Sequence, residues 1–213
     1  MVGPMTLLTR VASASVLAVV AVPLAAAAAS ALPPPAPSVA DSRDQLADLT
    51  VQAEDNAGYD RTLFTHWITI SGTCDTRETV LKRDGSGVAV DSACKATDGS
   101  WTSVYDGVTT SDPSSFDIDH VVPLAEAWGS GASGWTSTER KNFANDLTRP
   151  QLIAVSASSN RSKGDRDPAD WQPTSSAWRC EYVREWINVK YYWDLSVDTS
   201  EESAVEDMLD TDC

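Results

Sequence analysis

The stretch SSFDIDHVVPLAEAW, residues 114–128, decides how this chain is read. It places His120, one of two histidines among 213 residues, directly after Asp119 and ahead of an apolar Val-Val-Pro. Adjacent residues on a straight strand point to opposite faces, so Asp119 and His120 can share a site only at a bend or a strand end. Pro123 and the turn expected beyond it allow such an end. Asp117 lies two residues before Asp119 and on a strand shares its face. The plainer reading of the dipeptide alone is a packed core histidine bonded to a backbone carbonyl.

A second stretch, SSNRSKGDRDP at 158–168, changes the balance. Asn160 offers an amide oxygen and Asp119 a carboxylate oxygen, hard donors that suit Mg²⁺ with several waters retained. Arg161, Lys163 and Arg166 make a short positive cluster beside Asn160, which suits a phosphate. Arg140, Lys141 and Arg149 are expected to extend that patch. The plainer alternative is a solvated basic turn in which Asn160 caps a helix.

Taken together, DIDHVVPLAEAW, FANDL and LIAVSASSNRSKGDRDPADW resemble the HNH (ββα-metal) endonuclease superfamily, and more narrowly its secreted actinobacterial members of the uncharacterised-family-1524 type. The core match covers about residues 112–171. GYDRTLF, CDTRETVL and the tryptophan-rich C-terminal helix extend it over nearly all of the mature chain. The resemblance implies an α+β fold with a ββα-metal core and added helices. It implies His120 as general base, and Asp119 and Asn160 as ligands of a divalent metal. Mg²⁺ is the metal expected, with Mn²⁺ or Ca²⁺ as alternatives. Asp117, from its place on the strand face, is a candidate to assist the metal through a water, a solvated turn carboxylate being the alternative, and Arg161 or Lys163 is expected to steady the phosphate. In this variant an asparagine stands where the second ligand histidine usually is. The middle asparagine of the family motif is replaced by Gln151, with Asn145 the other candidate for pinning the loop. The zinc-knuckle cysteines of many relatives are missing. The implied substrate is DNA, with RNA second, and the implied products carry 5′-phosphates.

Residues 11–31 are small or apolar, follow Arg10 and end in AAAAASA. They read as a secretory signal with cleavage near residues 29–31. Residues 1–30 are assigned to it, 31–40 to a stiff Pro-rich spacer, and 41–213 to one domain. A secreted monomer without membrane contact is expected. The four cysteines, Cys74, Cys94, Cys180 and Cys213, contain no CxxC pair. In an exported chain that reads as disulfides. Three pairings are possible, and the local one, Cys74–Cys94 with Cys180–Cys213, is expected.

The net charge of −15 argues against broad coating of nucleic acid, though not against gripping a few phosphates. Nothing offers a recognition helix or basic arm, so little sequence preference is expected. The competing function is a disulfide-stapled binding module on the same scaffold. A zinc peptidase fails for want of HExxH and of ligands.

Helical patterns are read at 44–55, in 58–70 after a turn, in the later part of 71–84, at 139–146, in SASSNRSKG up to Gly164, at 179–193 and at 200–209. Short strands are read at 88–94, 99–110 and in LIAV. Asp75 or Thr76 is expected to cap the third helix, and Ser200 the last. Val183, Trp186, Ile187, Lys190 and Tyr191 form an apolar core stripe. Trp128, Trp135 and Trp171 are expected to pack rather than stack on bases. His66 is expected to be a core or interface histidine, and Arg77 with Glu78 a surface ion pair.

Overall fold

The computed structural model describes residues 1–3 and 33–213. Nearly all of the expected export signal, residues 4–30, lies outside the described residues. The elements run α1 (Val39–Asp48), β1 (Thr69–Ser71), β2 (Cys74–Asp75), α2 (Thr76–Asp84), β3 (Ser86–Val90), β4 (Ala96–Thr102) and β5 (Thr109–Thr110). They continue with β6 (Phe116–His120), α3 (Leu124–Gly129), α4 (Ser137–Ala144), β7 (Leu152–Ser156), α5 (Ala157–Lys163), α6 (Ser176–Tyr192) and α7 (Thr199–Thr211). The fold is α+β, as expected.

Local chemistry explains most boundaries. Asp75 caps α2 by accepting from the Glu78 amide at 2.8 Å. Thr136 and Glu139 form a capping box on α4. Asp198 and Glu201 do the same on α7, so Asp198 is the cap there rather than Ser200. Gly164 ends α5 at φ 58°, a left-handed conformation that glycine adopts without strain. The first helix ends at Asp48, earlier than its pattern suggested, and Val51 bridges to Val197 instead.

Residues 58–70 correct a helix expectation. They form only a 3-10 turn, Arg61–Leu63, then an open segment leading into β1. Asp60 accepts from the Thr62 amide and starts the turn. The β-branched residues from Thr65 to Ile70 disfavour continuing it as a helix, and Trp67 sits at φ 58°.

β6 and β7 pair antiparallel, with Asp117 opposite Val155, Asp119 opposite Ile153 and His120 opposite Leu152. The alternation sorts the two faces. Phe116, Ile118, Leu152 and Ala154 turn toward Val80, Leu81 and Trp101, a core closed by α2. Ile153 and Val155 join the larger core, built with Tyr182, Trp186, Phe143 and Val205. The edge of β7 is covered by α2, where Arg83 donates to the Leu152 carbonyl and Asp84 accepts from the Ala154 amide. After β7 the chain turns into α5, giving a strand–strand–helix unit.

The expected disulfides are both present, with Cα separations of 5.0 Å for Cys74–Cys94 and 4.9 Å for Cys180–Cys213. The proline-rich segment is docked: the Ala36 amide donates to Glu181 and Arg184 donates to the Pro37 carbonyl. On α6, Val183, Trp186 and Ile187 are core residues, but Tyr191 is exposed. Lys190 is fully buried and ionically bound to Glu126 and Glu201 at 2.5 and 2.6 Å.

Candidate active site

The sequence DID puts Asp117 and Asp119 on the strand face that α5 covers. Along α5, Asn160 and Lys163 are one helical turn apart and look the same way. The Asn160 amide nitrogen donates to Asp117 at 3.2 Å, and Arg161 pairs with Asp117 at 3.4 Å. Lys163 reaches both Asp119 carboxylate oxygens at 3.0 and 2.8 Å and the His120 carbonyl at 2.8 Å. The Tyr105 hydroxyl donates to Asp119 at 2.7 Å. Burial pushes the Asp119 carboxyl up and the Lys163 ammonium down, and their mutual attraction opposes both shifts.

This corrects the expectation for Lys163. Its side chain is completely buried and its three donors are engaged, so it holds Asp119 rather than reaching a substrate phosphate. Tyr105 is a partner of the site that sequence reading missed. Burial and the Asp119 charge push its hydroxyl well above the ordinary range, so it stays a donor.

His120 ends β6, as a shared site requires, and α3 rather than a polar turn follows Pro123. The ring nitrogen Nε2 lies 3.0 Å from the Ala144 carbonyl. A carbonyl only accepts, so Nε2 carries the hydrogen and Nδ1 keeps the lone pair. The Trp67 ring stacks on the imidazole at 5.5 Å and 23°. Burial is the main force holding the imidazole pKa down at about 3, which leaves the ring neutral at pH 7.

Both candidates for loop pinning act. Gln151 grips the backbone just past His120: its side chain accepts from the Val122 amide at 3.1 Å and donates to the Val122 carbonyl at 2.9 Å. Asn145 accepts from the Ile68 amide and the Thr76 hydroxyl, and donates to the Thr65 and Lys141 carbonyls. It thereby fixes the segment that carries Trp67. His66 is half-buried, with Nδ1 2.8 Å from the Phe64 carbonyl.

A cavity of about 190 Å³ opens at the end of the hairpin, lined among others by Asp119, His120, Asn160, Arg161, Asp165 and Arg61. Four of the predicted site residues therefore face one space, and Asp117 adjoins it through Asn160 and Arg161. Arg61, from the 3-10 turn, was not foreseen as part of it. The wider basic patch does not form there. Arg140 is bound to the Ala132 and Trp135 carbonyls, and Arg149 lies over the Tyr192 ring. Trp128, Trp135 and Trp171 pack against other aromatic rings. Arg77 pairs with Glu78 and also donates to the Phe116 carbonyl.

A separate acidic group was not anticipated. Glu54, Glu126 and Asp167 each place an oxygen within 4.8 Å of the others, an arrangement that could hold a metal ion. Burial and a hydrogen bond with Glu126 push Glu54 up to about 9, so at neutral pH this group holds a proton.

Fold and pocket together define a class: a disulfide-closed α+β domain with a polar, oxygen-rich cavity at the end of a strand–strand–helix unit. Residues 90–205, more than half of the chain, match the family described as GmrSD restriction endonucleases, C-terminal domain, and the chain belongs to that family. A nuclease-family domain is thus present. The chain is also similar to a fungal protein of Arthroderma benhamiae named "Uncharacterized secreted protein", with 53% identity over 180 residues, covering 84% of this chain and 88% of that one. No solved structure matches. Among the described residues, no helix is long and apolar enough to cross a membrane.

Proposed function

We propose that this chain is a secreted, metal-dependent endonuclease that hydrolyses phosphodiester bonds of DNA with little sequence preference. The observation that carries this reading is the convergence of Asp119, His120, Asn160 and Arg161 on one cavity. Its support comes also from the family, and for secretion from the fungal relative, which is named a secreted protein. RNA is the second candidate substrate, and the ββα-metal architecture of HNH nucleases is the finer fold we assign.

The donor set fits a hard divalent cation, Mg²⁺ first and Mn²⁺ or Ca²⁺ next. Asn160 turns its amide nitrogen to Asp117, which leaves the amide oxygen available as a ligand. A carboxylate has about four lone-pair positions. Lys163 and Tyr105 fill three on Asp119, and one remains on Oδ1. Asp119 and Asn160 would hold the ion, with Asp117 assisting through a water. A divalent metal bound there supplies positive charge against the charge growing on the phosphate and the leaving oxygen.

The remaining work falls to the side chains. His120 Nδ1 takes a proton from the attacking water, with the Ala144 carbonyl and Trp67 fixing the ring's direction. An anionic phosphate arriving beside the ring raises its affinity for that proton. The water oxygen bonds to phosphorus, the bond to the 3′ oxygen breaks, and that oxygen takes a proton from solvent. The products are a 5′-phosphate and a 3′-hydroxyl. Arg161 contacts a non-bridging oxygen, and Lys163 keeps Asp119 in place.

Plasmid nicking by the purified mature domain tests this. Cleavage with Mg²⁺, abolition by chelator and a loss of roughly 10²–10⁴-fold in His120→Ala are expected. No cleavage with any divalent ion would instead favour a binding module on this scaffold.

A further inference from the structure

The segment from Tyr59 to Trp67 lies outside the residues matched to the family, yet it contributes Arg61 to the lining of the cavity. Its anchors are clear. The rings of Tyr59 and Phe64 pack against Trp128 at 6.2 and 6.4 Å, and Phe64 packs on Phe143 at 6.3 Å. Asn145 binds the Thr65 carbonyl and the Ile68 amide, and Trp67 stacks on His120. Between these anchors the 3-10 turn aims Arg61 into the cavity, where its charge is felt at His120.

Arg61 differs from the other cations near the hairpin. Arg161 is paired with Asp117, and Lys163 with Asp119. Among the described residues Arg61 makes no ion pair, and its charge is felt at the Tyr59 hydroxyl. An exposed guanidinium that lines the same cavity as a second arginine has donors left for a planar two-point contact with a phosphate.

We infer that Arg61 is a substrate-binding residue that grips a backbone phosphate of the nucleic acid in the cavity it shares with Arg161. The inference rests on the nuclease reading and adds a contact from outside the family-matched region. Arg61 and Arg161 line the same cavity as His120 and Asn160, so a strand held by both arginines comes within reach of the imidazole. The grip is sequence-independent, because it addresses phosphate and no base edge.

The test is binding of a short labelled DNA duplex to the intact mature protein in chelator, so that nothing is cleaved, over a series of salt concentrations. Arg61→Ala should weaken binding roughly tenfold or more and lower the slope of log affinity against log salt by about one. Arg61→Lys should keep the slope, because it keeps the charge. Arg43→Ala, which removes an exposed cation on α1, should leave both unchanged. Thermal melts confirm that each variant is folded, and Arg61→Gln serves if the alanine variant is not. An unchanged slope in a folded Arg61→Ala or Arg61→Gln that still cleaves DNA with Mg²⁺ overturns the inference and leaves the nuclease reading standing. If the parent protein neither binds nor cleaves DNA, both fall together.

Discussion

At the scale of single residues, the decisive fact is that Asp119 is a buried carboxylate with a buried counter-charge. Lys163 and Tyr105 keep it in place before any substrate arrives. Removing one partner of a buried pair leaves a charge without compensation, at a cost of about 3–5 kcal/mol. Lys163→Met should therefore lower the Tm by roughly 10 °C, and the double variant with Asp119→Asn should recover much of that loss. Melts of the four proteins in the cycle decide it, and an unchanged Tm in the single variant removes the pair from the stability argument. Residue type and spacing singled out Asp119, His120, Asn160 and Arg161 in the sequence as candidates for one site, and the fold brings these four to one cavity. The role of Lys163 was misread because RSKGDR looks like an exposed basic turn. The available signal was its position three residues after Asn160, which on a helix puts both on the face looking at the strand. Tyr105 carried no such signal, since its partner lies 14 residues on and across a turn.

At the scale of elements, the site depends on how the end of α4 and the segment from Thr65 to Ile68 are tied together. Asn145 makes four hydrogen bonds there, and the carbonyl of its neighbour Ala144 holds His120. Asn145→Ala should leave the backbone carbonyls of Thr65 and Lys141 unpaired and let Trp67 and the imidazole drift. A misplacement of about 1 Å in a catalytic group costs on the order of 10²-fold in rate. The expected outcome is a kcat lowered by about that much with the domain still folded. Asn145→Asp keeps the two acceptor contacts and should fall between. Full kcat in the alanine variant would show that Trp67 and Ala144 do not set the direction of His120. The helices with caps or an apolar stripe, α2, α4, α5, α6 and α7, were legible because those signals are local. Residues 58–70 were not. Their apolar spacing imitates a helix, while the contacts that hold them open reach Trp128, Phe143 and Asn145, up to 80 residues away. Gln151 illustrates the reverse case: a glutamine where the resemblance leads one to expect asparagine, whose amide still grips the backbone at Val122.

At the scale of the whole molecule, the acidic balance of −15 extends inward, and burial of ionisable groups governs how the fold responds to pH. Lys190 inside the core binds Glu126 and Glu201, and Trp186 donates to Glu201 at 2.6 Å. Burial pushes Glu201 up to about 7 and Glu54 to about 9. A carboxyl with a raised folded-state pKa binds more protons in the native state than in the unfolded chain. Its contribution to stability is therefore present at low pH and lost as pH rises through the folded value. For Glu201 that window runs from its ordinary 4.5 to about 7, and for Glu54 from 4.5 to about 9. His120 works the other way. Its folded value of about 3 lies below the ordinary 6.5, so the native state binds fewer protons and stability is lost as pH falls below 6.5. Above pH 7 only Glu54 among these three is still titrating in the native state, and the Tm should decline from pH 7 to pH 9. Glu54→Gln keeps the shape and the hydrogen-bond donor toward Glu126 but has no proton to lose, so its profile over that interval should be flatter. If the parent and the variant give superimposable Tm profiles between pH 7 and pH 9, the carboxyl of Glu54 is not the group that makes this fold sensitive to alkali.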